Sequence, residues 1–273
     1  MLGLVGTIPE KHTPLISGTV VFEGDQIILE DERIAVNRGT PAMIAAAAET
    51  LKYMDKPNPV SYLVGDIGSG EGCYRLYKHL TDHIADYPFK TLALHYFQPE
   101  VSLFKQLLSA IDALEARPTL IADAGFMYVA KMSGDASSFD LFTPDAGELA
   151  YLADEKAPHP FYTRGFILHE ENLVPDLIER AYLHNNAASY LLVKGATDYI
   201  ANKSGVIAMI DSPQEEALEA IGGTGDTLTG IVSALIESGM DLKSASINAA
   251  RVNRLAGSLA KPTPATQVYD IIR

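Results

Sequence analysis

The chain has 273 residues, 47 % hydrophobic and 21 % charged, a balance that suits a globular fold with a large buried core and argues against disorder, collagen or coiled coil. Its 21 Lys and Arg against 35 Asp and Glu leave a net charge of −14, a field that repels phosphate backbones and argues against a nucleic-acid partner. A single cysteine, Cys73, leaves no internal disulfide and fits a reducing, cytoplasmic setting. The first residues, MLGLVGTIPEKHTPL, have neither a basic start nor a continuous apolar run, and the most apolar windows, 43–48 and 230–236, fall short of the ~20 residues that cross a bilayer. A cytoplasmic protein without membrane partners is expected.

Along the chain, Gly18–Glu23 and Gln26–Leu29 read as a hairpin around Gly24-Asp25, followed by an alanine-rich helix over Pro41–Tyr53. Ser61–Val64 is a short apolar strand that runs into the Gly-rich turn Gly65–Gly72. Helical spacing returns in Tyr74–Ala85, then come a strand at Thr91–Leu94, a helix over Pro99–Leu114 and strands at Thr119–Ala122 and Leu141–Thr143. A short helix is expected from Glu148 to Ala153 and a longer one over Asn172–Asn185. Ala188–Val193 is a strand, Tyr199–Ala201 and Val206–Ile210 form a hairpin, and helices over Thr227–Ser238 and Leu242–Ala260 follow. This alternation predicts an α/β fold: a central, mostly parallel sheet with helices on both faces and ligands held where strand C-termini feed loops. The two hairpins have no place in a simple doubly wound sheet and would form an edge or a flap. One domain, 1–273, is expected.

The most informative segment is Ala220–Leu235, AIGGTGDTLTGIVSAL. Gly222, Gly223 and Gly225 allow close backbone approach, Thr224 offers a hydroxyl, and a helix starting near Asp226 aims its free N–H groups at the loop, which together make an anion hole suited to a phosphoryl group. Asp226 is open to two readings: a helix N-cap, or a base that takes the proton of a hydroxyl attacking that phosphoryl group. The segment is neither a Walker A loop nor a dinucleotide fingerprint.

Gly222–Gly230 (GGTGDTLTG) resembles the anion-hole motif of the ribokinase-like superfamily, and more narrowly of the ADP- or ATP-dependent NAD(P)H-hydrate dehydratases. Ile121–Ala124 (IADA), Phe142–Leu149 (FTPDAGEL), Leu192–Thr197 (LVKGAT) and Val252–Gly257 (VNRLAG) resemble four further segments of that family in order and spacing, so the likeness covers roughly residues 119–260. Residues 1–118 form a divergent, substrate-side half: His95–Gln98 (HYFQ) stands where the family has a Gly-Pro-Gly loop, and Asp145-Ala146 replaces its His-Pro.

The resemblance implies a ribokinase-like fold in which residues 119–273 bind ATP or ADP with Mg²⁺. Gly223, Thr224 and Gly225 would hold the phosphates, Lys194, Gly195, Ala196 and Thr197 would lie along the nucleotide, and Asn253 would border the adenine. Glu148 would stand near phosphates and metal, acting on Mg²⁺ through water. Asp226 would serve as catalytic base and meet the substrate. Lys194 read by itself is equally a solvated strand-end charge, and Asp123 either caps a turn or meets a ligand hydroxyl or a hydrated magnesium ion. Asp145 is a substrate-side candidate, and Gly68 and Gly70 would approach a sugar or nicotinamide ribose. His79 and His83 lack a third metal ligand, Cys73 lacks an activating histidine, and no hydrolase elbow occurs.

The reaction so implied is nucleotide-dependent dehydration of hydrated NADH or NADPH by phosphorylation of the hydroxyl and loss of phosphate. The alternatives are an ATP-dependent kinase for another hydroxylated metabolite (a sugar, a thiazole or a pyrimidine alcohol) and a non-catalytic nucleotide-binding protein. Self-association is expected from the apolar helices, the spare hairpin and the homo-oligomers of the resembled family.

Overall fold

Leu2–Ile8 forms strand β1 at the centre of the sheet, a strand that the sequence pattern hid. Two glycines weaken its strand propensity, and both are there for space: a Cβ on Gly3 would stand 2.8 Å from Phe89 Cε1, and one on Gly6 would stand 2.4 Å from the His95 carbonyl. The computed structural model describes residues 1–158, 174–263 and 265–273. After β1 come the antiparallel strands β2 (Ile16–Glu23), β3 (Gln26–Leu29) and β4 (Glu32–Ala35), then helix α1 (Thr40–Tyr53). The alternating part follows as β5 (Val60–Gly65), α2 (Glu71–His83), β6 (Thr91–His95), α3 (Val101–Asp112), β7 (Thr119–Ala122), α4 (Gly125–Ser133), β8 (Leu141–Phe142) and α5 (Ala146–Ala153). Helix α6 (Val174–Leu183) precedes β9 (Tyr190–Val193), the hairpin β10 (Asp198–Asn202) and β11 (Gly205–Ile210), and helices α7 (Thr224–Glu237), α8 (Leu242–Leu259) and α9 (Val268–Ile272). The first two residues of the helix expected over 172–185 lie outside the described residues.

These strands make one 11-stranded sheet in the order β11-β10-β9-β8-β7-β6-β1-β5-β2-β3-β4. The six strands from β9 to β5 are parallel, and both hairpins extend it as antiparallel edges, which settles the edge-or-flap alternative. Period-two alternation sorts the strand residues between two cores. Val5, Leu94, Leu120 and Leu191 pack under α2 to α6, whereas Leu4, Ala93, Ile121 and Leu192 pack under α1, α7, α8 and α9. Both faces are covered, so the central strands are continuously apolar. Short elements without a clear period, β4, α4 and α9, were not evident in the sequence.

Helix α1 is buried along Thr40–Ala48, which its alanines permit by letting neighbours approach on every side. The closest approach is to α7, where a Cβ on Gly230 would lie 2.1 Å from the Met43 carbonyl oxygen. This contact seats the start of α1 beside the start of α7. Alanine is the better helix former by about 1 kcal/mol, but here the steric term dominates. Gly230→Ala is expected to destabilise the protein by roughly 2 kcal/mol or more in urea unfolding, and a stabilised variant would contradict the close helix contact.

Candidate active site

The C-terminal ends of the six parallel strands open on one edge of the sheet. The chain goes from β1 to β5 on one side and returns to β6 on the other, so a topological switch point lies beside β1, where open α/β sheets build their sites. His95 ends β6 and Asp123 follows β7 at that place. The starts of α1 and α7 reach it from one face.

The α7 N-terminus resolves the two readings of Asp226. The N-cap is Gly223, in a left-handed conformation at φ 101° that suits glycine, and Asp226 is the third residue of the helix. Its carboxylate accepts the Gly39 N–H at Oδ2 (2.7 Å), and Oδ1 lies 3.0 Å from His95 Nε2. Burial works to raise the Asp226 pKa, but the His95 ring, the Lys194 ammonium and the Gly39 amide outweigh it and hold the carboxyl below the usual range. Asp226 is thus a fixed anion, 13 % exposed, at the mouth of the helix. Among the described residues no acceptor meets the amides of Thr224, Gly225 or Asp226, as expected for a first helical turn. The Thr224 hydroxyl points back to the Ile221 carbonyl (3.4 Å) instead of outward. Gly225 has ordinary helical geometry, and a Cβ there would only touch Lys194 Cδ at 3.4 Å, so its glycine is not conformationally required.

Asp123, read as a turn cap or a ligand contact, is taken up by protein partners. It is 1 % exposed, and its oxygens accept the Lys194 ammonium (2.9 Å to each), the Thr229 hydroxyl (2.6 Å) and the Ala124 amide (2.8 Å). Thr143 shares its hydroxyl with Thr229 at 3.0 Å. A buried carboxylate needs such partners, and Asp123 serves to hold Lys194 in place. Burial alone would lower the Lys194 pKa, but Asp123, Glu148 and Asp226 raise it above the ordinary lysine value. Lys194 is therefore a fixed cation, packed against the first turn of α7 at Gly225 and no longer readable as a solvated strand end. Donor atoms of His95, Asp123 and Asp226 lie within 4.8 Å of one another, but the cation seated there is the lysine.

The loops around this pair are tied to one another. Asp145 and Lys194 form a parallel bridge, and the Lys194 N–H donates to the Pro144 carbonyl at 2.8 Å. Asp145, expected on the substrate side, is the N-cap of α5: it accepts the Glu148 N–H (2.8 Å), and its own N–H donates to Glu148 Oε2 (2.9 Å). Glu148 also accepts the Tyr128 hydroxyl at 3.1 Å, and burial pushes its carboxyl up to about 8 despite the opposing pull of Lys194. Arg254 clamps the Lys194–Thr197 loop, donating to the Gly195 (2.8 Å) and Ala196 (2.9 Å) carbonyls and to Asp198 (2.7 Å). Asn253, expected beside an adenine, donates to the Thr224 carbonyl (3.0 Å) and accepts the Thr227 hydroxyl (2.7 Å), so it braces the first turn of α7.

Gly68 and Gly70 lie against Gln98, whose side-chain amide donates to the Gly68 carbonyl at 2.7 Å. Their amides wrap the carboxylate of Asp66 at 2.8 and 3.1 Å, with the Cys73 amide at 2.9 Å, and both have positive φ. The other two glycines of the turn are crowded by backbone: a Cβ on Gly65 would sit 2.0 Å from the Glu10 carbonyl, and one on Gly72 would sit 2.2 Å from the Gly65 carbonyl. Three of the four glycines thus have a reason inside the loop and Gly65 has one in the Glu10 backbone beside it, so the expected ligand approach is not needed to explain them. Conversely, sequence reasoning passed over residues that the fold brings to the site. Arg38 is exposed and packs on Gly222 and Gly223, and Tyr96, 48 % exposed at φ 52°, sets its ring 4.2 Å from His95 over the start of α1. The signal available was the departure at His95–Gln98 itself.

A model of the NAD(P)H-hydrate dehydratase family matches residues 101–271. The chain belongs to this family. It is 42 % identical over 231 residues to "Uncharacterized protein MJ1337" of Methanocaldococcus jannaschii, covering 84 % of this chain and 95 % of that one. It is 31 % identical over 163 residues to the ADP-dependent (S)-NAD(P)H-hydrate dehydratase of Cenarchaeum symbiosum, a match that spans 59 % of this chain and 50 % of that relative. Among solved structures, the ADP/ATP-dependent NAD(P)H-hydrate dehydratase of Bacillus subtilis superposes with a TM-score of 0.53 at 16 % identity over 85 % of this chain and 82 % of that one. Phosphofructokinase-2 of Escherichia coli does so with 0.54 at 13 % identity over 99 % and 97 %. The fold is thus the ribokinase-like α/β fold. No helix among the described residues is long and apolar enough to cross a membrane.

The raised Glu148 carboxyl gives the site a pH signature. The native state holds this proton up to about pH 8, whereas the unfolded chain releases it near 4.5, so native protein binds more protons between the two and stability falls as pH rises through that window. Glu148→Gln keeps an acceptor for the Asp145 N–H and removes the titration. The variant is expected to melt above the wild type at pH 8, with the difference closing towards pH 5, as read by calorimetry at both pH values.

Proposed function

We propose that the protein is a nucleotide-dependent NAD(P)H-hydrate dehydratase: with ATP or ADP as phosphoryl donor, it phosphorylates the hydroxyl of hydrated NADH or NADPH and then eliminates phosphate. The observation that carries this reading is the ionised carboxylate of Asp226 fixed beside the open amides of the first turn of α7, with the Lys194 ammonium against the same turn. That pairing sets a proton acceptor next to an anion site. Family membership supports the substrate class.

In this reading the Thr224, Gly225 and Asp226 amides and the helix dipole receive the transferring phosphoryl oxygens, Lys194 offsets their charge, and exposed Arg38 adds a cation at the rim. Asp226 takes the proton from the attacking hydroxyl. When bound, Mg²⁺ supplies charge neutralisation on the phosphates. Glu148, whose oxygens already accept the Tyr128 hydroxyl and the Asp145 N–H, would act on it only through water. Tyr96 presents an aromatic face at the site mouth suited to a planar ring.

A second reading, a kinase for another hydroxylated metabolite, is favoured by one observation: the Gly65–Gly72 loop closes on Asp66 and leaves the divergent His95–Gln98 segment to define the acceptor side. Incubation of hydrated NADH with ATP or ADP separates the two. Return of the near-ultraviolet NADH absorbance supports dehydration, and a stable phosphorylated alcohol supports a kinase. Nucleotide binding without any product would support a non-catalytic role.

Asp226→Asn keeps an acceptor for the Gly39 N–H, so nucleotide affinity should stay within a few-fold while turnover falls ~10²-fold or more. Unchanged turnover would remove Asp226 from the chemistry. Gly225→Ala fits the space available, so stability should change by less than about 0.5 kcal/mol, but the added methyl should weaken nucleotide binding ~10-fold by titration calorimetry. Equal affinity would argue against phosphate on these amides.

A further inference from the structure

The fold strains Tyr96 and leaves it half-exposed. It follows β6 at the switch point with φ 52°, a left-handed conformation that bulky side chains avoid, and it is 48 % exposed. Its neighbours hold it there. His95 before it is fully buried, and Phe97 after it packs its ring 4.8 Å from Tyr77 and 4.9 Å from Phe126. The Thr7 hydroxyl donates to the Tyr96 carbonyl at 2.6 Å, and the Gln98 side-chain amide donates to the Gly68 carbonyl at 2.7 Å. One side of the Tyr96 ring is set against His95, at 4.2 Å between centroids and 67° between planes, and its Cε2 lies 3.5 Å from where a Cβ on Gly39 would stand. Gly39 is the residue whose N–H holds Asp226 Oδ2 at 2.7 Å. Stability does not call for an aromatic residue at this point: glycine or asparagine would suit the backbone better and expose less apolar surface.

Resting on the dehydratase reading, we propose that Tyr96 selects the acceptor: its open face stacks on the flat part of the hydrated nicotinamide and so favours a ring-bearing alcohol over a sugar. Hydration saturates one C=C bond of the reduced ring and leaves the other conjugated with the ring nitrogen and the carboxamide. An aromatic face gains more from such a flat, conjugated group than from a puckered ring covered in hydroxyls. A wall fixed by buried neighbours on both sides loses little freedom when a ligand stacks on it, so most of the contact is realised as affinity. The contact is made away from the reacting bonds and persists through the reaction, so it acts on binding and leaves phosphoryl transfer to the groups on α7. The same wall borders Asp226 through Gly39, which keeps a stacked acceptor next to the carboxylate.

Titration of the full chain with NADH, followed by the fluorescence of the reduced ring, tests the contact without turnover. Tyr96→Phe keeps the face and should bind NADH within ~3-fold of wild type, whereas Tyr96→Asn, whose side chain tolerates the left-handed backbone, should bind it ~10-fold more weakly. ADP affinity should stay within ~2-fold in both variants. Tyr96→Asn should also melt within about 3 °C of wild type, because relief of the backbone offsets the lost ring contacts. In turnover of hydrated NADH it should raise KM ~10-fold and lower kcat by less. The proposal is overturned by equal NADH affinity in all three proteins, by a wild type that binds no NADH, by ADP affinity that falls in step with that for NADH, or by a larger loss of melting temperature. A wild type that binds NADH through Tyr96 yet never returns it from the hydrate sinks the dehydratase reading and leaves the stacking contact standing. Return of NADH by Tyr96→Asn at the wild-type KM does the reverse.

Discussion

Charge taken out of water at the ends of adjacent strands is the constraint on which this site rests. Asp123, nearly sealed, requires a compensating cation within hydrogen-bond reach, and Lys194 is the residue that meets it. Once Lys194 is fixed there, its stem lies against the first turn of α7 and its backbone is bound to the Thr143–Asp145 loop. The lysine is a structural counter-ion, and in the function proposed above the same geometry presents it to a phosphate.

The other half of the site depends on small residues instead of charge. Gly6 lets Thr40 lie against β1, and Gly230 lets α1 lie against α7. These approaches bring the Gly39 N–H to Asp226 and the Thr40 hydroxyl to His95. Packing in the core and the polar contacts of the site are thus linked through a few glycines.

Most of the fold was legible because the central strands and long helices carry clear periods, and the Gly-rich turn before α7 announced itself by composition. β1 was hidden by Gly3 and Gly6, which weaken a local signal to satisfy contacts with Phe89 and His95 far along the chain. Asp226 and Lys194 could be named from their loops, but the partners that define their state could not. His95, Thr40 and Gly39 come from elements that no local spacing connects to α7. At Gly68 and Gly70 glycine density suggested a ligand, and the fold supplies a second reason for it, since the loop wraps its own Asp66. Asp145 and Asn253 are similar: both stand at the site, and both brace backbone.

The Gly39–Asp226 hydrogen bond joins residues 187 positions apart, and the Thr229–Asp123 bond joins residues 106 apart. Such closures have a large loop entropy and form only after local structure exists. During synthesis, the strand-end carboxylate of Asp123 emerges well before the lysine and threonine that neutralise it. Until those residues are made, that strand end is a hydrated charge without its partners, and its burial waits on β9 and α7.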